Sequence, residues 1–241
     1  MQIIILAAGK GSRMNSTLPK VMHEVGGVPM LERVVQNCYK VTRNLILVYS
    51  DHLLPYLHLF TSRCQVVNQT AQLGTAHAVS VARNLMDDKE NIGVIYGDNP
   101  LINDHIIKEL FNHLTEAGSQ AATLAFENNQ PSHYGRIILD SDGEFQSIIE
   151  SKYATEEEKK ITLCNSGIMA FAPSILKKYI NKCLAPSKID PARELYLTDI
   201  IAVCRKENKK ISYYKSPEHQ LMMGVNTQEE LHKANNLVKQ K

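Results

Sequence analysis

Apolar-rich runs and amphipathic stretches alternate along the first half of the chain. The runs fall at 2–7, 44–49, 65–68 and 92–96, each too short for a helix and bounded by polar or turn residues. Between them, 30–39 puts Met30, Leu31, Val34 and Val35 on one helical face, and 75–85 does the same with Ala78, Val79, Ala82 and Leu85. The segment 104–114 repeats the pattern with Ile106, Ile107, Leu110, Phe111 and Leu114. Strands alternating with helices of this length predict βαβ units, hence an α/β fold with a mostly parallel sheet and flanking helices. Ligands of such sheets bind at the carboxyl ends of the strands, where 7–14 and 96–98 lie.

After about residue 120 the rhythm changes. Segments 121–126, 135–139 and 145–149 read as strands, and Asp140-Ser141-Asp142-Gly143 joins the last two as a hairpin. Residues 155–160 read as a charged surface loop or short helix. Segments 163–171 and 211–214 read as strands, and 174–184 and 194–208 as helices. A final helix over about 227–239 follows Gly224-Val225-Asn226, opened by a Thr227/Glu230 capping box and carrying the stripe Leu231, Ala234, Leu237 and Val238. With no internal repeat, low-complexity tract or linker, 1–241 reads as one domain with a small antiparallel β excursion.

Bulk properties narrow the function class. A chain of 241 residues with 44% hydrophobic and 22% charged content can bury its own core without staples. A net charge of +2 gives no case for nucleic acid or an anionic membrane as the main partner. Cys38, Cys64, Cys164, Cys183 and Cys204 are odd in number and widely spaced, with no CxxC pair, which argues against a disulfide framework or structural zinc. No basic leader precedes the first apolar run, and no stretch is long enough to span a bilayer. These features predict a cytoplasmic protein.

The candidate chemistry begins at the first strand. Ile3-Ile4-Ile5-Leu6 opens into Ala7-Ala8-Gly9-Lys10-Gly11-Ser12-Arg13-Met14 and closes at Leu18-Pro19-Lys20. Small residues let the backbone approach a ligand, successive N–H groups can cradle an anion, and Arg13 and Lys20 add positive charge. The spacing is too short for a P-loop, and Met14 stands where a dinucleotide fingerprint needs its third Gly. The plain alternative is an ordinary strand-to-loop turn.

Asp98, at the end of a strand, is placed either to hold a hard cation such as Mg²⁺ or to stabilise the turn and the helix near Asn103. Gln72-Leu73-Gly74-Thr75-Ala76-His77 opens a helix whose positive end could receive a base or phosphate, or be capped by Thr75 alone. His77 is assigned no role. Gly135, Glu150, Asn165 and Asn226 are small or polar positions at element ends, unremarkable singly. There is no GxSxG elbow, and none of the nine histidines lies in HExxH or a comparable metal-ligand pattern.

In this order the pieces resemble one family. The segments 6–14, 18–23, Gln72 to Val79, Tyr96-Gly97-Asp98, Tyr134-Gly135-Arg136-Ile137, Asn165-Ser166-Gly167-Ile168, Tyr196-Leu197-Thr198-Asp199 and Gly224-Val225-Asn226 are similar to the uridylyltransferase domain of bacterial N-acetylglucosamine-1-phosphate uridyltransferases. These are sugar-nucleotide pyrophosphorylases with a Rossmann-like fold of the nucleotide-diphospho-sugar transferase type.

The resemblance implies Mg²⁺-dependent transfer from UTP to a sugar 1-phosphate, giving UDP-N-acetylglucosamine for cell-envelope synthesis. It implies that Leu6, Ala7, Ala8, Gly9, Gln69, Gly74, Thr75, Tyr96 and Gly97 bind the nucleotide. Arg13, Lys20 and Asp98 would be catalytic, Asp98 and Asn226 the Mg²⁺ ligands, and Gly135, Glu150 and Asn165 the sugar contacts. Tyr153, and Asp190-Pro191-Ala192-Arg193, depart from the family pattern on the expected sugar side. Bifunctional relatives continue into a β-helix acetyltransferase built of hexapeptide repeats. This chain shows none, so the expectation is no acetyl-CoA-dependent activity, with a separate acetyltransferase partner and the oligomeric state left open. The competing readings are a pyrophosphorylase for another sugar or base, such as UDP-glucose, and a non-catalytic nucleotide-sugar binding subunit.

Overall fold

The computed structural model describes residues 1–131, 133–184 and 193–239. Its parallel strands are β1 (Gln2–Ala7), β4 (Leu45–Tyr49), β5 (Gln65–Asn68) and β6 (Ile92–Tyr96). A short hairpin, β2 (Glu24–Val25) and β3 (Val28–Pro29), precedes α1 (Met30–Val41). Helix α2 (Thr75–Val81) follows β5, and α3 (Asp104–Glu116) follows β6. The antiparallel part comprises β7 (Ala121–Glu127), β8 (Gly135–Leu139), β9 (Phe145–Ile149) and β10 (Leu163–Phe171). The chain continues through α4 (Ile175–Tyr179), α5 (Asp199–Lys206), β11 (Ile211–Lys215) and α6 (Gln228–Lys239).

The main sheet runs β11-β7-β10-β6-β1-β4-β5, with the β8–β9 ribbon attached to β10. Strand β1 pairs in parallel with both β4 and β6, while β10 pairs antiparallel with β6, β7 and β8. The expected α/β sheet with an antiparallel excursion is therefore present.

Strand β1 is buried throughout because both faces of the sheet are covered. Ile3, Ile5 and Ala7 pack toward α1, α3 and α6, whereas Ile4, Leu6 and Ala8 pack toward α2, α4 and α5. Successive side chains of a strand point to opposite faces, so one continuous apolar run feeds two cores. Each buried Ile contributes roughly 1.5–3 kcal/mol.

Five local features differ from the sequence expectation. The amphipathic segment 194–208 is helical only over Asp199–Lys206. Its first residues are not helical because Leu195 makes backbone hydrogen bonds to Leu73 (2.9 Å) and Ala76 (2.8 Å), which compete with helix formation. The segment 75–85 breaks at Ala82 into a 3-10 turn, and 174–184 divides into α4 and a 3-10 turn. The β2–β3 hairpin and a 3-10 stretch at Asp51–Leu59 carry too few residues, or too weak a period, to be read from pattern. Among the described residues no helix is long and apolar enough to cross a membrane.

Candidate active site

A cleft of about 510 Å³ opens at the carboxyl ends of β1, β5 and β6. Its wall includes Leu6, Ala7, Ala8, Gly9, Arg13, Lys20, Gln69, Gly74, Thr75, Tyr96, Asp98 and Asn226. These come from separated stretches of sequence. Lys10, Gly11, Ser12, Val21, Gln72, Ala78 and Glu194 complete the lining; all but Glu194 lie in the motif segments, but none was given an individual site role from sequence.

The loop after β1 is shaped by Gly11. Its φ is +64°, and a Cβ there would fall 2.6 Å from the Lys20 Cβ. Glycine alone fits both constraints, so the chain can turn left-handed and bring Lys20 over the cleft. The Lys20 ammonium donates to Asp98 Oδ2 and, at 2.9 Å, to Asn226 Oδ1. Arg13 Nη2 donates to the same Asn226 oxygen at 3.0 Å.

Asn226 reaches Asp98 through backbone tethers. Val225 N–H donates to the Asp98 carbonyl at 2.8 Å, and Asn99 Nδ2 donates to the Met222 carbonyl at 3.2 Å. The capping box expected for α6 is present: Glu230 N–H donates to Thr227 Oγ1 (3.2 Å), and Thr227 N–H to Glu230 Oε2 (3.0 Å). Glu230 Oε2 also accepts from Asn226 N–H at 2.7 Å, so the cap itself holds the Asn226 loop. Asn103, not Asp98, caps α3, accepting from Ile106 N–H at 2.9 Å.

At the other end of the cleft α2 presents its N-terminus. Gly74, with φ +125°, precedes the helix, and a Cβ there would lie 2.4 Å from the Leu195 carbonyl oxygen. Thr75 does not cap its own helix; its hydroxyl accepts from Leu197 N–H at 2.8 Å. Gln69 is buried and donates through Nε2 to the Gly74 carbonyl at 3.2 Å, while Gln72 Nε2 donates to the Ala8 carbonyl at 2.7 Å. The non-helical segment 194–198 thus lies across the helix start, a placement that its apolar pattern did not reveal.

The remaining predicted residues lie beside the cleft rather than in its wall. Gly97 is packed where a Cβ would meet Leu31 and Leu6, on the α1 side. A Cβ on Gly135 would meet Glu150 Oε2 at 3.6 Å, so these two are neighbours. Glu150 accepts from Thr198 Oγ1 at 2.6 Å, and burial holds its carboxyl above the usual range. Asn165 is buried, and its Oδ1 accepts from Thr123 Oγ1 (2.6 Å) and Gly167 N–H (3.1 Å). The Tyr96 ring lies against Gly167, and burial, followed by the nearby Glu150 charge, pushes its phenol up.

Tyr153 and Arg193, one residue from each departure on this side, belong to one cluster. Arg193 makes a bidentate ion pair with Asp199 (2.6 and 2.8 Å) and lies over the rings of Tyr153 and Tyr196. Residues 190–192 lie outside the described residues.

The donor set fits a hard divalent cation. Among the described residues no three His, Cys, Asp or Glu side chains gather as a metal cluster. Asp98 and Asn226 nonetheless aim two hard oxygens at one point, marked by the Lys20 ammonium that both oxygens accept from. One carboxylate and one amide oxygen suit Mg²⁺, which fills its shell with phosphate oxygens and water.

Comparison with known proteins identifies the family. Residues 3–161 match the model of the MobA-like NTP transferase domain. The bifunctional protein GlmU of Clostridioides difficile is 34% identical over 239 residues, covering 99% of this chain and 51% of that protein. GlmU of Desulfotalea psychrophila is 35% identical, covering 96% and 68%, and GlmU of Enterococcus faecalis 36%, covering 98% and 51%. The chain spans about half the length of most of these curated relatives. In fold it is similar to a Bacillus anthracis protein described as a glucose-1-phosphate thymidylyltransferase, with a TM-score of 0.76 at 21% identity over 100% of this chain and 96% of the other. The chain therefore belongs to the nucleotidyltransferase family of the MobA-like NTP transferase domain, among the relatives of the pyrophosphorylase part of GlmU.

Proposed function

We propose that this protein transfers the uridylyl group of UTP to N-acetylglucosamine 1-phosphate in the cytoplasm, releasing pyrophosphate, with Mg²⁺ as cofactor. The observation that carries the reading is the convergence of Arg13, Lys20, Asp98 and Asn226 on one cleft floor. A pure nucleotide binder has no need of two cations and two hard oxygens aimed at one point.

In this reading Leu6 to Gly9 and the start of α2 hold the nucleotide, with Gln69, Gly74 and Thr75 toward the base and Tyr96 toward the sugar end. Gly135, Glu150 and Asn165 meet the sugar, Glu150 accepting from its hydroxyls. A phosphate oxygen of the sugar 1-phosphate attacks the α-phosphorus of UTP. The bond from that phosphorus to the bridging oxygen breaks, and pyrophosphate leaves with the electron pair. The nucleophile is already ionised near neutral pH, so no general base is required; positioning and charge neutralisation do the catalysis. Arg13 and Lys20 neutralise the triphosphate and its leaving group. Mg²⁺ held by Asp98 and Asn226 would supply further charge neutralisation.

A second reading changes only the sugar. It is favoured by the Arg193, Tyr153 and Tyr196 cluster beside Glu150, in which Tyr153 and Arg193 depart from the family pattern. Pyrophosphate release across a panel of nucleoside triphosphates and sugar 1-phosphates, with and without Mg²⁺, tests both. Turnover with UTP and N-acetylglucosamine 1-phosphate supports the first. Preference for another sugar supports the second, and no turnover with any pair defeats both.

A further inference from the structure

Arg136 is only 2% exposed, yet no carboxylate among the described residues forms an ion pair with it. Its guanidinium donates to the Tyr134 carbonyl and, at 3.3 Å, to the Lys159 carbonyl, and its buried Nε has no partner among the described residues. A charge removed from water is costly unless a counter-charge meets it. Arg136 also lines a separate open cavity of about 360 Å³ with Gln130, Pro131, Ser151 and Lys159.

We propose that this cavity binds a small tetrahedral oxyanion of the phosphate type, with Arg136 as its principal ligand. The planar guanidinium fork matches two oxygens of such an anion, and its free Nε is one of the donors to be satisfied. Lys159 also lines the cavity, and in this proposal its ammonium turns inward as a second positive charge. Its ammonium pairs at 2.7 Å with Glu156, which is almost fully exposed, and a surface pair of this kind holds a side chain only weakly.

The site is distinct from the cleft. Gly135 and Arg136 are consecutive on β8, so they face opposite sides of the ribbon. The Gly135 side meets Glu150, at the sugar end of the cleft, so Arg136 opens on the other side. An anion there would neutralise the buried charge and brace the strands that carry Gly135 and Glu150.

The test uses inorganic phosphate on the Arg13→Ala/Lys20→Ala variant, which removes the cleft's cations. At constant ionic strength, phosphate but not chloride should raise Tm saturably, by roughly 5 °C or more near a hundredfold excess over Kd. Lys159→Met in that background should weaken the apparent phosphate affinity about tenfold, and Arg136→Met should abolish the shift. Crystals soaked in tungstate should show an anomalous peak within hydrogen-bond distance of Arg136. Absence of a saturable shift, a shift unchanged by Lys159→Met, or a peak confined to other places overturns the proposal. If Arg136→Met fails to fold, the lysine variant and the tungstate map decide it. None of these readouts depends on turnover, so the outcome stands apart from that of the proposed reaction.

Discussion

The Lys20 ammonium rests on the Asp98 carboxylate, 78 residues away in sequence, and reaches Asn226 Oδ1 at 2.9 Å in the same arrangement. A cation of the protein thus sits where the two oxygens converge. On the proposed reading, Asp98 and Asn226 would hold the metal through those oxygens, and the Lys20 ammonium would serve the phosphates.

Lys20→Ala is therefore expected to lower kcat on the order of a hundredfold or more while keeping the fold, because a preorganised positive charge at the transferring phosphate is lost. Asp98→Ala should abolish Mg²⁺-dependent turnover. Pyrophosphate release with circular dichroism as a fold control checks both. Undiminished activity in Asp98→Ala would remove that carboxylate from the metal site.

Gly74→Ala tests the contact between the start of α2 and segment 194–198. A φ of +125° costs an alanine about 1–3 kcal/mol, and the new methyl would collide with the Leu195 carbonyl. Thermal melts should show Tm several degrees lower, and the KM for the nucleotide should rise. An unchanged melting curve would mean that the contact is not held in solution.

Glu150→Gln separates stability from function. A carboxyl whose folded pKa is raised costs stability above that pKa, and the cost disappears as pH falls below the unfolded value. The variant should thus be more thermostable than the parent at pH 8, with the difference vanishing as pH falls below about 4. The KM for the sugar 1-phosphate should rise while that for UTP changes little. Equal Tm values at pH 8 would contradict the stability argument.

The five cysteines should be unreactive in the folded protein, since all are buried. Burial pushes Cys64 to about 11 and Cys183 to about 12, so well under ~1% of either thiol is ionised at pH 8. A colorimetric thiol reagent should label the native chain substoichiometrically and all five positions after unfolding in denaturant. Rapid labelling of the native protein would show that one of these thiols is accessible.

The sequence by itself determined the strands and most helices, because burial on both faces of a parallel sheet leaves continuous apolar runs and helices leave a 3.6-residue stripe. It also made the loop after β1 legible as a candidate site, since small residues and fixed charge lie together there in the chain. The capping box of α6 was legible because its two partners are three residues apart.

Only the tertiary structure decided where segment 194–198 goes. Its apolar spacing suited a helix, but Leu195 makes its backbone hydrogen bonds to Leu73 and Ala76 instead of within its own segment. The fold brought Asn226 to Asp98 and Lys20, a grouping that the resemblance implied but no spacing in the chain shows, and left Arg136 buried beside Cys164 with no ion-paired carboxylate among the described residues. These relations depend on strand register and on loops that meet across the sheet, and no local periodicity records which distant residues will share a few ångströms of space.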